Sequence, residues 1–390
     1  MDAFTPDWSE LPKELLSQIA SRLPLLSDYL RFTIVCKPWA AARRAARPPL
    51  ERPWMLPFNQ PHHALDGHLV FLPLANRRPL RLYVPELFHR WICGASRGWF
   101  ITVDRQLHMH LVHPFAHTQI PLPVPPSLGM ERLYAAQCLR GRSLLKAVLS
   151  ADPVVDPTGC IIMAINGATG KLTFCRPGDA RWTVINDPYG IYSDLIHYNG
   201  RFYAAPADPA VVVCDLASPV PRTSICVSTG GRSGYPNYLV EVDGDLLFVA
   251  RLRCIALIEY GEQICRTFKI EVFKLDNETG TWVETKDLGK MALLLTPDQA
   301  VPILEEEFPG CKKNFIYFTD LHYNNHAMCK FEEAGMFDLE NGMLHPFTQK
   351  ELFSPLYEPS IFMTPVLYPG GEARSPETVA GPSQTQDASA

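Results

Sequence analysis

A recurrence constrains the fold of this chain more than any other feature. Gly98-Trp-Phe-Ile-Thr-Val103 leads to Leu107-His-Met-His-Leu-Val112. Cys160 to Ile165 is followed by the turn Asn166-Gly167, then Lys171 to Phe174 and Trp182 to Ile185. Asn199-Gly200 to Ala204 leads to Val211 to Leu216. Asp243-Gly244 to Val249 leads to Ile270 to Leu275, the turn Asn277 to Gly280, and Trp282-Val283. Asn314 to Thr319 leads to Gly335 to Leu339, the turn Glu340-Asn341-Gly342, and Met343-Leu344. Each unit is an apolar strand, often opened by Gly, then an alternating strand, a polar turn and often a Trp-bearing third strand. A lone sheet of this kind cannot bury a face, and radial stacking into a propeller solves that for every copy at once. The spacing is uneven, and a β-sandwich or irregular barrel shares the hairpin texture. With the further strands at Leu69 to Leu72 and Leu80 to Tyr83, the recurrence predicts about six blades.

Before this texture begins, the chain is punctuated for short helices. Pro12 suits a first helical turn, where its missing N–H has no partner in any case. Leu15, Ile19 and Leu23 recur every four residues with Leu16 and Ala20 beside them, which makes an apolar stripe. Pro24 closes that helix; Ser27 is placed to cap a second one, and Asp28 suits its positive end. Leu30, Ile34 and Val35 carry the second stripe, and Pro38 suits the first turn of a third helix through Arg43 and Arg44. About forty residues cannot hide this much apolar surface alone, so a docked neighbour or a partner is implied.

The pattern Leu11-Pro12-x-Glu14-Leu15, Ile19, Leu23, Leu30, Val35-Cys36-Lys37-x-Trp39 resembles the F-box, over residues 8 to 47. Pro38 departs from that pattern, where many F-boxes carry a basic residue. The later run Tyr238 to Val249, Glu271 to Leu275, Trp282-Val283-Glu284, Asp287-Leu288-Gly289 and Phe308 to Lys312 is similar to a plant-specific domain of unknown function. That domain follows F-boxes and is described as kelch- or propeller-like. The chain thus resembles the large plant F-box family. The resemblance implies a Skp-type adaptor, through it a cullin and a ubiquitin ligase, and a protein target held by the β domain. The adaptor-binding residues it implies are Leu11, Pro12, Leu15, Ile19, Leu23, Leu30, Val35, Cys36 and Trp39. Leu15 and Ile19 are also candidates for the helical unit's own core, and periodicity alone does not divide the two roles.

Composition narrows the classes further. A hydrophobic fraction of 47% can supply a large core, and a net charge of −5 gives no reason to expect nucleic acid. The basic residues Arg43, Arg44, Arg47 and Arg52 read as a solvated face or linker. No apolar run reaches the roughly twenty residues of a membrane span. Eleven cysteines, scattered without a C-x-x-C pair or a leader peptide, predict reduced thiols in the cytoplasm or nucleus.

Residues 48–61 hold five prolines and read as a semi-rigid linker; 62–368 read as the propeller, and 369–390 as a disordered tail. His108, His110, His113 and His117 form the densest cluster of metal-ligating residue types. His113 precedes Pro114 and no cysteine or carboxylate completes the set, so a polar strand face is the simpler account and no metal or other cofactor is expected. Gly167 to Lys171 lacks the spacing of a phosphate loop, and Gly230 to Gly234 that of a nucleophile elbow. Trp99, Trp182 and Trp282 are expected between blades, and the excursions Ser218 to Tyr238 and Pro297 to Lys313 are expected as target-reading loops. The sequence therefore predicts a small all-α unit followed by an all-β domain, acting as a non-catalytic substrate receptor. An F-box scaffold without ubiquitylation, or a propeller enzyme, is the alternative.

Overall fold

The computed structural model describes residues 7–23, 26–33, 35–43, 54–57, 68–73, 79–104, 106–124, 144–167, 169–185, 187–206, 210–228, 237–257, 263–296, 299–305, 310–322, 329–346 and 360–366. The chain divides into two units, residues 1–50 together with 367–390, and residues 51–366. The tail expected over 369–390 lies outside the described residues, as does the basic cluster beyond Arg43.

In the first unit a single 3-10 turn, Trp8–Glu10, precedes three helices, α1 (Lys13–Ser21), α2 (Leu26–Thr33) and α3 (Lys37–Arg43). Pro12 stands at the N-cap of α1, one position before the expected first turn, and Pro38 is inside the first turn of α3. Helix α2 begins one residue before Ser27, so Ser27 lies within its first turn. Asp28 is in that turn as expected, where a negative charge suits the helix N-terminus.

The second unit is a six-bladed propeller of mostly antiparallel sheets, in which blades 1 to 4 are separate four-stranded sheets and blades 5 and 6 run together as one nine-stranded sheet. Blade 1 takes β1 (Trp54–Pro57), β2 (His68–Pro73) and β3 (Leu80–Tyr83) from the beginning of the domain. Blade 2 is β4 (Arg90–Ser96), β5 (Trp99–Asp104), β6 (Met109–His113) and β7 (Thr118–Leu122). Blade 3 is β8 (Leu144–Leu149), β9 (Ile162–Asn166), β10 (Leu172–Cys175) and β11 (Thr183–Val184). Blade 4 is β12 (Tyr192–Tyr198), β13 (Arg201–Pro206), β14 (Ala210–Asp215) and β15 (Arg222–Ser228). Blade 5 is β16 (Asn237–Val242), β17 (Asp245–Leu257), β18 (Gln263–Leu275) and β19 (Trp282–Glu284). Blade 6 contains β20 (Met291–Leu295), β21 (Ala300–Leu304), β22 (Phe315–His322), β23 (Cys329–Asp338) and β24 (Met343–Pro346). The last strand, β25 (Ser360–Met363), returns to blade 1 and pairs antiparallel with β1, closing the ring.

The linker expected over residues 48–61 is therefore not all linker. Trp54, Met55 and Leu56 lie between Pro53 and Pro57, and all three are buried as a strand held between β2 and β25. A strand of four residues leaves little pattern in the sequence, so the surrounding proline density is the stronger signal there.

Two-residue turns explain the Gly-led strands. Arg97-Gly98, Asn199-Gly200 and Asp243-Gly244 all have positive φ at both residues, the geometry of the tight hairpin that matches strand twist. They join the first strand of blades 2, 4 and 5 to the second. The inner edge strands β25, β4, β8, β12, β16 and β21 then pack one after another around the ring.

The core lies between blades and follows the strand period of two. Leu293 and Leu295 of β20 pack toward blade 5 with Val240, Val249 and Val272, while Ala292 and Leu294 pack toward blade 1 with Met55 and Phe362. Blades 5 and 6 are also joined along their strands, because Gln263 and Ile264 of β18 pair in parallel with Cys329 and Lys330 of β23. The excursions expected as target loops contain strands: Arg222–Ser228 is β15 and Ala300–Leu304 is β21.

Candidate docking site

One residue of helical rotation separates core from surface in α1. Leu16 and Ala20 are fully buried, and with Tyr29, Phe32 and Ala42 they form the inside of the helical unit. Pro12, Leu15 and Ile19 follow a different line, spaced at i, i+3 and i+7, and remain exposed. Leu15 keeps 46% of its surface accessible and Ile19 41%. Val35, immediately before the last helix, is 56% exposed. The shared stripe of the sequence thus splits into a core line and an outward apolar line.

The remaining expected residues lie nearer the inside. Leu23 is half-buried and continues the line of Leu16 and Ala20; Leu11 and Cys36 are half-buried too. Trp39 packs its ring 4.4 Å from that of Phe32, and its indole N–H donates to the Trp8 carbonyl at 2.9 Å. It ties α3 to the opening turn. Leu30 lies in α2, with its side chain outside the described set.

Trp8 was not among the expected contacts, yet it is 61% exposed beside the outward line's first residues in sequence. Its signal was an aromatic group three residues before Leu11-Pro12. The turn that carries it is capped by Asp7, which accepts from the Ser9 hydroxyl at 2.6 Å and the Ser9 N–H at 2.9 Å. Those two donors hold the Asp7 carboxyl below its ordinary titration range, with little opposition from burial. The surface pair Arg31–Asp28, 3.2 Å apart and exposed, adds little to stability.

An F-box domain profile matches residues 8–42, the span of this helical unit, and a KIB1-4 beta-propeller profile matches residues 71–338. The chain belongs to the KIB1-4 beta-propeller family. F-box protein At2g26160 of Arabidopsis thaliana is 28% identical over 345 residues, covering 81% of this chain and 96% of that protein. F-box protein SKIP23, from the same plant, is 26% identical over 391 residues, covering 90% and 94%. In this KIB1-4 chain the matched propeller stretch begins inside β2 and ends with β23, so the pairing of β1 with β25 that closes the ring lies beyond it.

The family's propeller also shows where the candidate chemistry of the sequence went. The four histidines take separate partners. His108 Nδ1 lies 3.1 Å from Asp104, His110 meets Arg90, and His117 lies 3.2 Å from Glu86. His113 is buried, its ring 5.0 Å from that of Trp99, and burial depresses its pKa to about 4. Among the described residues no three His, Cys, Asp or Glu side chains are grouped as a metal site. Burial likewise pushes the Cys160 thiol up to about 11 and the Cys214 thiol up to about 12, which suits core packing and not a nucleophile.

The tryptophans join blades, as expected. Trp99 donates to Asp152 of the blade 3 connection at 3.3 Å, and Trp182 donates to the Pro123 carbonyl beyond blade 2 at 2.7 Å. Trp282 packs with Phe248 against the blade 4 side of blade 5. A polar device does the same work along the inner strands. Asp194 of β12 is buried, receives the Lys146 ammonium from β8, and accepts from the Leu239 N–H of β16 at 2.7 Å. One carboxylate thus links three consecutive blades.

Proposed function

We propose that this chain is a non-catalytic substrate receptor of a Skp–cullin–F-box ubiquitin ligase. An F-box domain indicates a Skp-type adaptor as partner, and the family and its named F-box relatives favour a receptor over an enzyme. The observation that carries the reading is the outward line of α1. A unit this small has already built its core from Leu16 and Ala20, so exposed Leu15 and Ile19 are left for another protein to cover. The adaptor face then centres on Pro12, Leu15, Ile19 and Val35, with Leu11 and Cys36 at its edge. Leu23 and Trp39 support it from inside, and Leu30 completes the expected set.

The propeller holds a protein target, and the adaptor delivers the cullin. The chain contributes proximity: a held target presents its lysines to the ubiquitin carrier at high effective concentration. No cofactor enters this scheme. The site of action is the cytoplasm, the nucleus or both, where ubiquitin ligases meet their targets and buried thiols such as Cys160, Cys175 and Cys214 stay reduced.

Co-purification of the full chain from plant cells tests the reading. Recovery of a Skp-type adaptor and a cullin in amounts comparable to the chain is the expected result. Recovery of the chain without either protein, under conditions that retain a known F-box protein's partners, would contradict it.

A further inference from the structure

Blade 4 ends in an edge that the other blades do not offer. Its outer strand β15 pairs with β14 from Arg222 to Ser228, and among the described residues no strand pairs with its other side. The outer strands of the other blades are shorter. β3 and β24 have four residues, β7 has five, β11 two and β19 three. Pro121 lies within β7 and Pro346 ends β24, and proline cannot donate to a ladder. β15 spans seven residues, Arg222-Thr-Ser-Ile-Cys-Val-Ser228, with no proline and one charge. Shortness, proline and charge are the devices that keep a sheet edge from pairing, and β15 has the least of them.

The side chains along this edge define what fits it. Thr223 and Ile225 stand opposite Cys214 and Val212 on one face of the sheet, while Arg222 and Ser224 belong to the other face. Ile225 is 51% exposed, and Ser224 is exposed beside it. Arg222 keeps 72% of its side chain accessible and lies 3.5 Å from Asp215. Asp215 does not depend on that contact. Its carboxylate accepts from the Ser218 hydroxyl at 2.6 Å and from the N–H groups of Ala217 at 3.1 Å and Ser218 at 3.3 Å. The guanidinium is thus available to a second carboxylate. The register shifts between Val211 and Val212, which leaves Cys226 as an extra residue and bends the strand there. Two copies of the chain meeting edge to edge would each bring that bend, whereas one extended peptide follows the straight run from Arg222 to Ile225.

We propose that the outer edge of β15 takes an extended peptide segment of a partner protein as a fifth, antiparallel strand of blade 4. The main chain of the segment supplies the hydrogen bonds, an apolar residue lies beside Ile225, and an acidic residue three positions later lies beside Arg222. The register fixes that spacing. An antiparallel neighbour at position j beside Ile225 places position j+3 beside Arg222, on the opposite face. Under the receptor reading the segment belongs to the target; only that identification rests on the reading, and binding of the segment does not.

Fluorescence anisotropy of the full chain with a labelled synthetic peptide tests this. The probe is about ten residues of alternating valine and threonine, with isoleucine at one valine position and aspartate at the threonine position three residues later. Saturable binding is expected. Methylating one alternate set of peptide nitrogens should abolish binding and methylating the other set should leave it, because only one side of a strand faces the edge. Arg222→Glu should weaken the aspartate peptide by about two- to five-fold and strengthen its lysine counterpart by a similar factor. Absent binding, equal binding of the two methylated peptides, or indifference to the charge swap would overturn the proposal. A concentration-dependent dimer that the peptide dissociates would make a second copy the occupant and overturn it as well. None of these readouts involves an adaptor or ubiquitin, so this proposal and the receptor reading fail separately.

Discussion

Substituting Leu15 and Ile19 together by Ala probes the division of α1 into two lines. Burying a Leu or Ile side chain completely stabilises by about 1.5–3 kcal/mol. Leu15 and Ile19 keep 46% and 41% of their surfaces exposed, so roughly half of that is available to a partner. Each then contributes about 1 kcal/mol to docking, and the pair about 2 kcal/mol, or roughly thirty-fold in Kd. Leu16→Ala is the contrasting perturbation. Leu16 is fully buried, and truncating such a residue costs about 2–5 kcal/mol of folding stability, enough to unfold a marginal unit. Titration calorimetry against a Skp-type adaptor, with helical content followed by circular dichroism, separates the two. The double variant should keep its helices and lose about thirty-fold in affinity; Leu16→Ala should lose helical signal. Full affinity in a folded Leu15→Ala/Ile19→Ala chain would refute the assignment of the outward line.

Three further outcomes follow from the propeller. Gly98 has φ +82°, and a Cβ there would stand 2.7 Å from the Val366 Cβ, whereas Gly280 at φ +68° has nothing near. Both Ala variants incur the left-handed cost of about 1–2 kcal/mol, but Gly98→Ala should melt lower, and Val366→Gly, which removes the clashing Cβ, should restore part of the difference. Asp194→Ala removes the buried acceptor shared by Lys146 and Leu239 and should cost about 3–5 kcal/mol by denaturant unfolding; a loss under 1 kcal/mol would remove its role in joining blades. His117 is raised above its usual 6.5, chiefly by its hydrogen bond to Glu86 with burial opposing. Its contribution is complete below pH 6.5 and is lost as pH rises through the raised value. Glu86, where burial opposes but the bond to His117 lowers the pKa below 4.5, contributes above pH 4.5 and loses that as pH falls through the lowered value. His117→Asn should therefore lower Tm more at about pH 6 than at about pH 8.5, and an equal effect at both would contradict the pairing.

The second strand of most blades was legible in the chain because a physical signal precedes it. Gly98, Gly200 and Gly244 take left-handed conformations at tight turns; β5 and β13, which two of them open, are almost wholly buried, as is Leu246 to Leu252 of β17. The inner strands left no such signal. β4, β8 and β12 each carry a bulge, at Ile92/Gly94, Leu144/Lys146 and Tyr192/Asp194, which breaks the period-two alternation. Lys146 and Asp194 also look like loop residues until the partner blade supplies the opposite charge. Ring closure was hidden for another reason, since β1 and β25 lie at opposite ends of the domain and pair only in the folded state. In the helical unit the apolar stripe was plain, but a period of four fits both Leu15–Ile19 and Leu16–Ala20. Only packing in the folded unit, where α1 lies against α3 and Leu16 and Ala20 are buried, decides which line faces in.

The most direct test of the receptor reading is the half-life of the chain's own target. Affinity purification with the proteasome blocked would supply the candidates, recovered with the full chain and lost when the propeller is removed. Their half-lives would then be measured by pulse-chase in cells with the chain, without it, and with the Leu15→Ala/Ile19→Ala variant in its place. The account predicts a target that persists longer in the second and third cases and acquires ubiquitin only in the first. A bound protein with the same half-life and the same ubiquitin signal in all three would contradict it and leave the chain a scaffold.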